Sequence, residues 1–124
     1  MDKKKILIVD DDFSVRETLG DILRSCSYEV FEAATGAEAA KQVEREEFDC
    51  VIVDLRLPDA TGHEVIEKIS GRVEKNKIII ITGYASSEVL SKALLDAEYF
   101  LLLKPVTPEQ LLAVVRKIVA VGKK

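Results

Sequence analysis

Much that would tie a chain to a particular chemistry is scarce in these 124 residues. There are two cysteines, Cys26 and Cys50, and one histidine, His63. The cysteines fall at the end of a helix-like segment and the start of a strand-like one. Nothing in that placement suggests a disulfide framework or a metal pair, and the pair reads as two small buried hydrophobes in a reducing compartment. His63, just after Gly62 at a helix start, has no second histidine with which to share a metal, so it reads as surface or structural. No glycine-rich phosphate loop is present. No apolar run approaches the roughly 20 residues that cross a bilayer, and Met1-Asp2-Lys3-Lys4-Lys5 leads into too few apolar residues for a signal peptide. A cytoplasmic location without membrane contact is expected. Positive charge is not in excess either. The net charge of −4 argues against nucleic-acid binding by this domain itself. Repeats, low-complexity tracts and internal boundaries are also missing. Residues 1–121 are therefore expected to form one domain, with 122–124 as a C-terminal tail or linker stub.

What remains is an ordinary soluble composition, 48% hydrophobic and 32% charged, on a chain long enough to bury a core. Its order is informative. Five apolar, β-branched-rich runs cover Lys5–Asp10, Tyr28–Glu32, Asp49–Asp54, Lys77–Thr82 and Tyr99–Leu103. They begin at 5, 28, 49, 77 and 99, hence 21 to 28 residues apart, which is the spacing of strand–helix units and too long for hairpins. The first, third and fourth are continuously apolar, as in strands covered on both faces.

Helix signals fill the gaps. Ser14-x-x-Glu17 and Thr35-x-x-Glu38 have capping-box spacing. Val15, Leu19, Ile22 and Leu23 share one face of the first helix. A third helix is expected from about His63 to Ser70, with Val65, Ile66 and Ile69 inward and Gly71 ending it. A fourth is expected near Ser86–Asp96. The last opens on Thr107-Pro108-Glu109-Gln110, a cap, a first-turn proline and a glutamine three residues on. The pattern predicts an α/β fold, a doubly wound (βα)5 arrangement with helices on both faces of a parallel sheet. Ligands of such sheets bind beyond the carboxyl ends of the strands.

The polar residues that close the strands gather at that edge. Asp10-Asp11-Asp12 follows the first, Asp54 ends the third, Thr82 the fourth, and Lys104-Pro105 follows the fifth. Crowded carboxylates repel and need a hard divalent cation to stay ionised together, which points to Mg²⁺ and phosphoryl chemistry. Asp54 is the candidate nucleophile, since a carboxylate can accept a phosphoryl group as an acyl phosphate. Alone it would read as a helix cap or a solvated charge. Asp10 and Asp11 are candidate metal partners. A run of acids can simply favour a helix N-terminus, which explains Asp12 well and three in succession poorly. Thr82 could give its hydroxyl to a phosphoryl oxygen, a weak signal by itself. Lys104 closes an apolar strand and needs an anionic partner if partly buried, the bland alternative being snorkelling to solvent. A cis peptide between 104 and 105 is compatible with Pro105.

In this order, these residues resemble the receiver domain of two-component response regulators over essentially the whole chain. Ile6-Leu7-Ile8-Val9-Asp10-Asp11-Asp12, the stretch Val53 to Gly62, Ile81-Thr82-Gly83 and Leu103-Lys104-Pro105 match its four signature stretches. The resemblance implies a flavodoxin-like five-stranded sheet in the order 2-1-3-4-5. It makes Asp54 the phosphoacceptor, Asp11, Asp54 and the Arg56 carbonyl direct Mg²⁺ ligands, and Asp10 a ligand through water. Thr82 and Lys104 would hold phosphoryl oxygens. The donor would be a phosphohistidine on a sensor histidine kinase or phosphotransfer protein, and the phosphorylated state would switch a surface for an output protein or domain. Such a domain is a signalling phosphoacceptor that catalyses only its own phosphorylation and dephosphorylation. One departure stands out: Leu101 occupies the position three before the lysine, where the family has a switch aromatic, with Tyr99 and Phe100 just before it. This keeps a phosphorylation-independent pseudo-receiver as the alternative. A haloacid-type phosphatase would have an aspartate where Arg56 stands, and an acidic first loop would repel a flavin phosphate. Tyr84 and Arg56, each two residues past a site residue, are expected to overhang the site. The apolar last helix, with Leu112 and Val119 near the surface, would allow phosphorylation-linked homodimerisation.

Overall fold

The computed structural model describes residues 3–54, 62–69, 71–82 and 100–121. The expected helix near 86–96, Tyr99, Arg56, Tyr84 and the tail 122–124 lie outside the described residues. The elements are β1 (Lys5–Val9), α1 (Phe13–Ser25), β2 (Glu29–Ala33), α2 (Gly36–Arg45), β3 (Cys50–Asp54), α3 (Gly62–Ile69), a 3-10 turn (Lys75–Lys77), β4 (Ile78–Thr82), β5 (Phe100–Leu103) and α4 (Pro108–Val121). All four strand pairings are parallel, and the sheet runs β2-β1-β3-β4-β5. The strand order is the one the resemblance implied.

Continuous apolar runs make the central strands because both faces are covered. Successive side chains in a strand point to opposite faces. Leu7, Val9, Val51, Val53, Ile78 and Ile80 accordingly pack with Ala39 and Val43 of α2 and Val65 and Ile69 of α3. Ile6, Ile8, Ile52, Ile79 and Ile81 pack with Leu19 and Leu23 of α1 and Leu111, Val115 and Ile118 of α4. Each of these side chains is at most 8% exposed. Complete burial of one such side chain contributes about 1.5–3 kcal/mol, so the two layers hold the sheet from either side. At the edge, Val30 and Phe31 of β2 are half-buried, and Phe31 meets Phe48 edge-on with ring centroids 5.2 Å apart. Among the described residues no helix is long and apolar enough to cross a membrane.

Local chemistry moves several expected boundaries. The first capping box does not form. Asp12 is the N-cap of α1, its carboxylate accepting from the backbone N–H groups of Ser14 at 2.8 Å and Val15 at 3.3 Å. A carboxylate two residues earlier outcompetes the Ser14 hydroxyl and also complements the helix dipole. At α2 half of the box forms: Thr35 Oγ1 accepts from the Glu38 N–H, while Glu38 Oε1 accepts from the N–H of Ala34, one residue before the cap. At α4 it is fully reciprocal between Thr107 and Gln110, 3.1 Å in each direction. β2 starts one residue later than expected. Ser27 adopts a left-handed φ of 70° that closes α1, and Tyr28 N–H donates to Leu23 O at 3.2 Å before pairing begins at Glu29.

Both cysteines are free, as expected, although only Cys50 is fully buried; burial pushes its thiol up and keeps it protonated. Cys26 is half-buried. Leu112 and Val119 are half-buried and packed against the α1–α4 side of the core, so much of the apolar surface expected on the last helix is already engaged.

Candidate functional site

The register of the sheet assembles the site. Val9 pairs with Val53, so the next residues of the two strands, Asp10 and Asp54, leave the sheet side by side. Asp54 in turn pairs with Ile81 of β4, and Thr82 pairs with Leu103, the residue before Lys104. Four strands thus bring their closing polar residues to one edge. Asp10 and Asp54 are both 4% exposed as residues, whereas Asp11 is exposed.

Three of the residues singled out from the sequence form one cluster. A carboxylate oxygen from each of Asp10, Asp11 and Asp54 lies within 4.8 Å of the other two. Lys104 Nζ donates to Asp54 Oδ2 at 2.9 Å, the anionic partner that a lysine on an apolar strand requires. The Lys104–Pro105 peptide is cis. Thr82 is at the strand end where it was placed, and Arg56 lies outside the described residues.

Asp10 carries the clearest electrostatic signature. Its carboxyl is pushed up from 3.8 to about 6, first by burial, which the N–H of Asp12 partly offsets at 2.9 Å, and then by the neighbouring charge of Asp54. Two buried carboxylates beside each other repel, and a cation held between them offsets that repulsion. The donor set fits a hard cation that prefers oxygen ligands and keeps part of its water: two buried carboxylates within, one exposed carboxylate at the entrance.

The surroundings of the acidic loop were not foreseen from the sequence. Arg16, one turn into α1, donates from Nη1 to the Asp10 carbonyl at 2.7 Å and from Nε to Glu32 Oε1 at 3.0 Å. No local pattern signals this, because Arg16 and Glu32 meet only through the β1–β2 crossover. An open cleft of about 660 Å³ adjoins the site between α1 and the start of the β5–α4 loop, with Asp10, Ser14, Thr18 and Lys104 among the residues that line it.

Comparison with known proteins agrees with this geometry. The family described as the response regulator receiver domain matches residues 6–116. Sporulation initiation phosphotransferase F of Bacillus subtilis is 31% identical over 93 residues, 75% of each chain. The transcriptional regulatory protein ZraR of Escherichia coli K12 is 33% identical over 119 residues, which is 96% of this chain but 27% of that one. Among solved structures, a CheY-like response regulator receiver domain protein from Methanospirillum hungatei JF-1 superposes with a TM-score of 0.89 at 36% identity, covering 98% of both chains. The receiver domain of the sensor histidine kinase PA1611 from Pseudomonas aeruginosa PAO1, with a magnesium ion coordinated in its active site cleft, gives a TM-score of 0.84 at 25% identity, covering 96% of this chain and 99% of that one.

Proposed function

The chain belongs to the response regulator receiver domain family of two-component signalling, and on that premise we propose that Asp54 is its phosphoacceptor. The observation that carries this reading is the contact between Lys104 Nζ and Asp54 Oδ2 at 2.9 Å, inside a cluster of three carboxylates. An ordinary ion pair has no need of two further carboxylates beside it. A phosphoryl-transfer site does, since such catalysis is mostly positioning and charge neutralisation.

In the proposed reaction a carboxylate oxygen of Asp54 attacks the phosphorus of a phosphohistidine. The new O–P bond forms as the P–N bond breaks, and the imidazole leaves with the electron pair. Lys104 exchanges its contact with Asp54 for one to a phosphoryl oxygen, following the negative charge as it moves outward. Thr82 gives its hydroxyl to a second phosphoryl oxygen. Asp11, Asp54 and the Arg56 carbonyl would hold Mg²⁺ directly, with Asp10 acting through water. When bound, that ion supplies the positive charge that lets the carboxylates and the incoming phosphoryl group share one site. Asp10 and Asp54 are almost wholly buried, so the site is approached from the side of the exposed Asp11. Attack of water on phosphorus later releases inorganic phosphate and restores the carboxylate, so the domain resets without acting on a separate substrate.

Receiver domains of this family engage histidine kinases or phosphotransfer proteins and output domains. The cleft between α1 and the β5–α4 loop is where we place the incoming phosphohistidine, because Asp10 and Lys104 both line it. The chain spans three quarters of the Bacillus relative and about a quarter of ZraR, so the activity of the remainder of such longer proteins is not carried over. We place the domain in the cytoplasm, in keeping with its family. Leu101 sits half-buried against the α2–α3 side of the core; an aliphatic side chain there in place of the switch aromatic is what favours the second reading, a receiver that signals by contact alone.

The test is intact mass after exposure to acetyl phosphate, with and without Mg²⁺, beside Asp54→Asn. A gain of one phosphoryl group that needs Mg²⁺ and disappears in the variant is expected. Absence of that gain together with absent Mg²⁺ binding would leave the contact-only reading.

A further inference from the structure

Besides the bonds that cap α1 at Asp12, three hydrogen bonds restrain the acidic loop at Asp10. The Asp10 N–H donates to Ala33 O at 3.0 Å, extending the β1–β2 ladder by one bond, and Asp10 Oδ1 accepts from the Asp12 N–H at 2.9 Å. These two fix the loop to the sheet and to itself. The third restraint ties it to a side chain from elsewhere: Arg16 Nη1 donates to the Asp10 carbonyl at 2.7 Å. The same guanidinium donates from Nε to Glu32 Oε1 at 3.0 Å, and Glu32 Oε2 lies 3.3 Å from Arg24 Nη2. The Arg16 side chain is only 14% exposed, and its Cζ sits 5.6 Å from the centre of the Phe13 ring. Glu32 is held in turn through its backbone, whose carbonyl accepts from Gln42 Nε2 at 3.2 Å.

A nearly buried guanidinium is costly unless a carboxylate faces it, so Glu32 makes the position tenable for Arg16. Arginine suits the task because its planar fork offers several donors at fixed angles; a lysine would bring one compact charge on a flexible stem. One arm grips β2 and the other grips the backbone that presents Asp10 and Asp11. The carboxylates it presents repel one another whenever no cation lies between them. A fixed backbone prevents them from splaying apart and so lowers the cost of gathering them again.

We propose that Arg16, anchored by Glu32, is a positioning residue that holds the acidic loop in its cation-ready form and thereby sets the affinity of the site for Mg²⁺. The proposal rests on the reading of Asp10, Asp11 and Asp54 as the metal site. Outer residues that orient metal ligands typically change affinity by about 10- to 100-fold when removed.

Isothermal titration of the unphosphorylated protein with MgCl2 tests it, using Arg16→Met, Arg16→Lys, Glu32→Gln and Glu32→Ala. Arg16→Met is expected to weaken Mg²⁺ binding about 10-fold. Arg16→Lys should fail to restore it, because one ammonium cannot reproduce the two-armed grip. Glu32→Gln, which keeps an acceptor for Nε, should recover most of the affinity that Glu32→Ala loses. With acetyl phosphate as donor, the concentration of Mg²⁺ needed for half-maximal rate should rise in Arg16→Met more than the maximal rate falls. A purely structural role would lower the melting temperature of the Lys and Met variants and leave Mg²⁺ affinity untouched in those that fold. Should Arg16→Met not fold, Glu32→Ala on the half-exposed edge strand decides: unchanged Mg²⁺ affinity there overturns the proposal. If the unaltered protein binds no Mg²⁺, the metal-site reading falls and the proposal with it; if it binds and every variant binds equally well, the proposal alone falls.

Discussion

Lys104 reaches Asp54 across a strand: the ammonium comes from the end of β5, the carboxylate from the end of β3, and β4 lies between them, yet Nζ and Oδ2 are 2.9 Å apart. The pair is unequal in exposure, with 39% of the lysine side chain and 5% of the aspartate side chain open to solvent. The carboxylate is therefore sheltered while its counter-charge borders solvent. That asymmetry suits a cation that must follow charge from a carboxylate to an incoming phosphoryl group.

Lys104→Met should slow transfer and also cost some stability, since it leaves the sheltered Asp54 carboxylate without its ammonium. A donor aimed at developing charge is worth about 10²-fold or more in rate. Phosphorylation by acetyl phosphate, followed by intact mass, should slow by about 10²-fold. Rates within about threefold of the unaltered protein would remove Lys104 from the mechanism.

Asp10 predicts an opposition between stability and function. Its folded-state carboxyl is raised from 3.8 to about 6 by burial, so between those values the folded protein keeps a proton that the unfolded chain has released. Stability from this group is complete below about pH 4, is lost as pH rises through about 6, and is level above that. Asp10→Asn should flatten this slope and raise metal-free stability at pH 7 by on the order of 2 kcal/mol. Urea midpoints at pH 4.5 and 7.5 measure it. An Asn variant with the same pH slope as the parent would show that another group is responsible. Mg²⁺ binding in the parent should weaken below about pH 6, because the proton and the cation compete for the same carboxylate.

Ser27 is the one non-glycine residue with positive φ among the described residues, at 70°. A side chain in that region is strained by about 1–2 kcal/mol, part of which a glycine regains and part of which it loses to a freer unfolded chain. Ser27→Gly should raise the urea midpoint by an amount equivalent to about 0.5–1 kcal/mol. A lowered midpoint would mean that the serine side chain contributes something its backbone cost conceals.

Tyr84 and Arg56, both outside the described residues, stand two positions beyond Thr82 and Asp54 in the sequence and are bulky. As shields of the acyl phosphate they should lengthen its life, and Tyr84→Ala and Arg56→Ala should each dephosphorylate several-fold faster. Equal half-lives for both variants and the parent, followed after removal of donor, would dismiss shielding.

The sheet and the acidic cluster were legible in the sequence because both follow from periodicity: apolar runs of four with polar residues at their ends place Asp10, Asp54 and Lys104 at one edge once the strands are parallel. The caps were legible where one candidate stood alone, as at Thr35 and Thr107, and misread where two competed, as at Asp12 and Ser14. Arg16 and Glu32 could not be read at all. They lie 16 positions apart, on different elements, and neither residue type is unusual where it stands.

In β3, odd-numbered Val51 and Val53 serve the layer of α2 and α3, while even-numbered Cys50 and Ile52 serve the layer of α1 and α4. Parity along this strand is thus checked from both sides, and Asp54 is simply the next even number. A single residue inserted after Cys50 would exchange the tenants of both layers and rotate Asp54 toward the wrong helices. Folding errors of one step in this strand would therefore be rejected by packing before they could ever yield a misplaced acceptor.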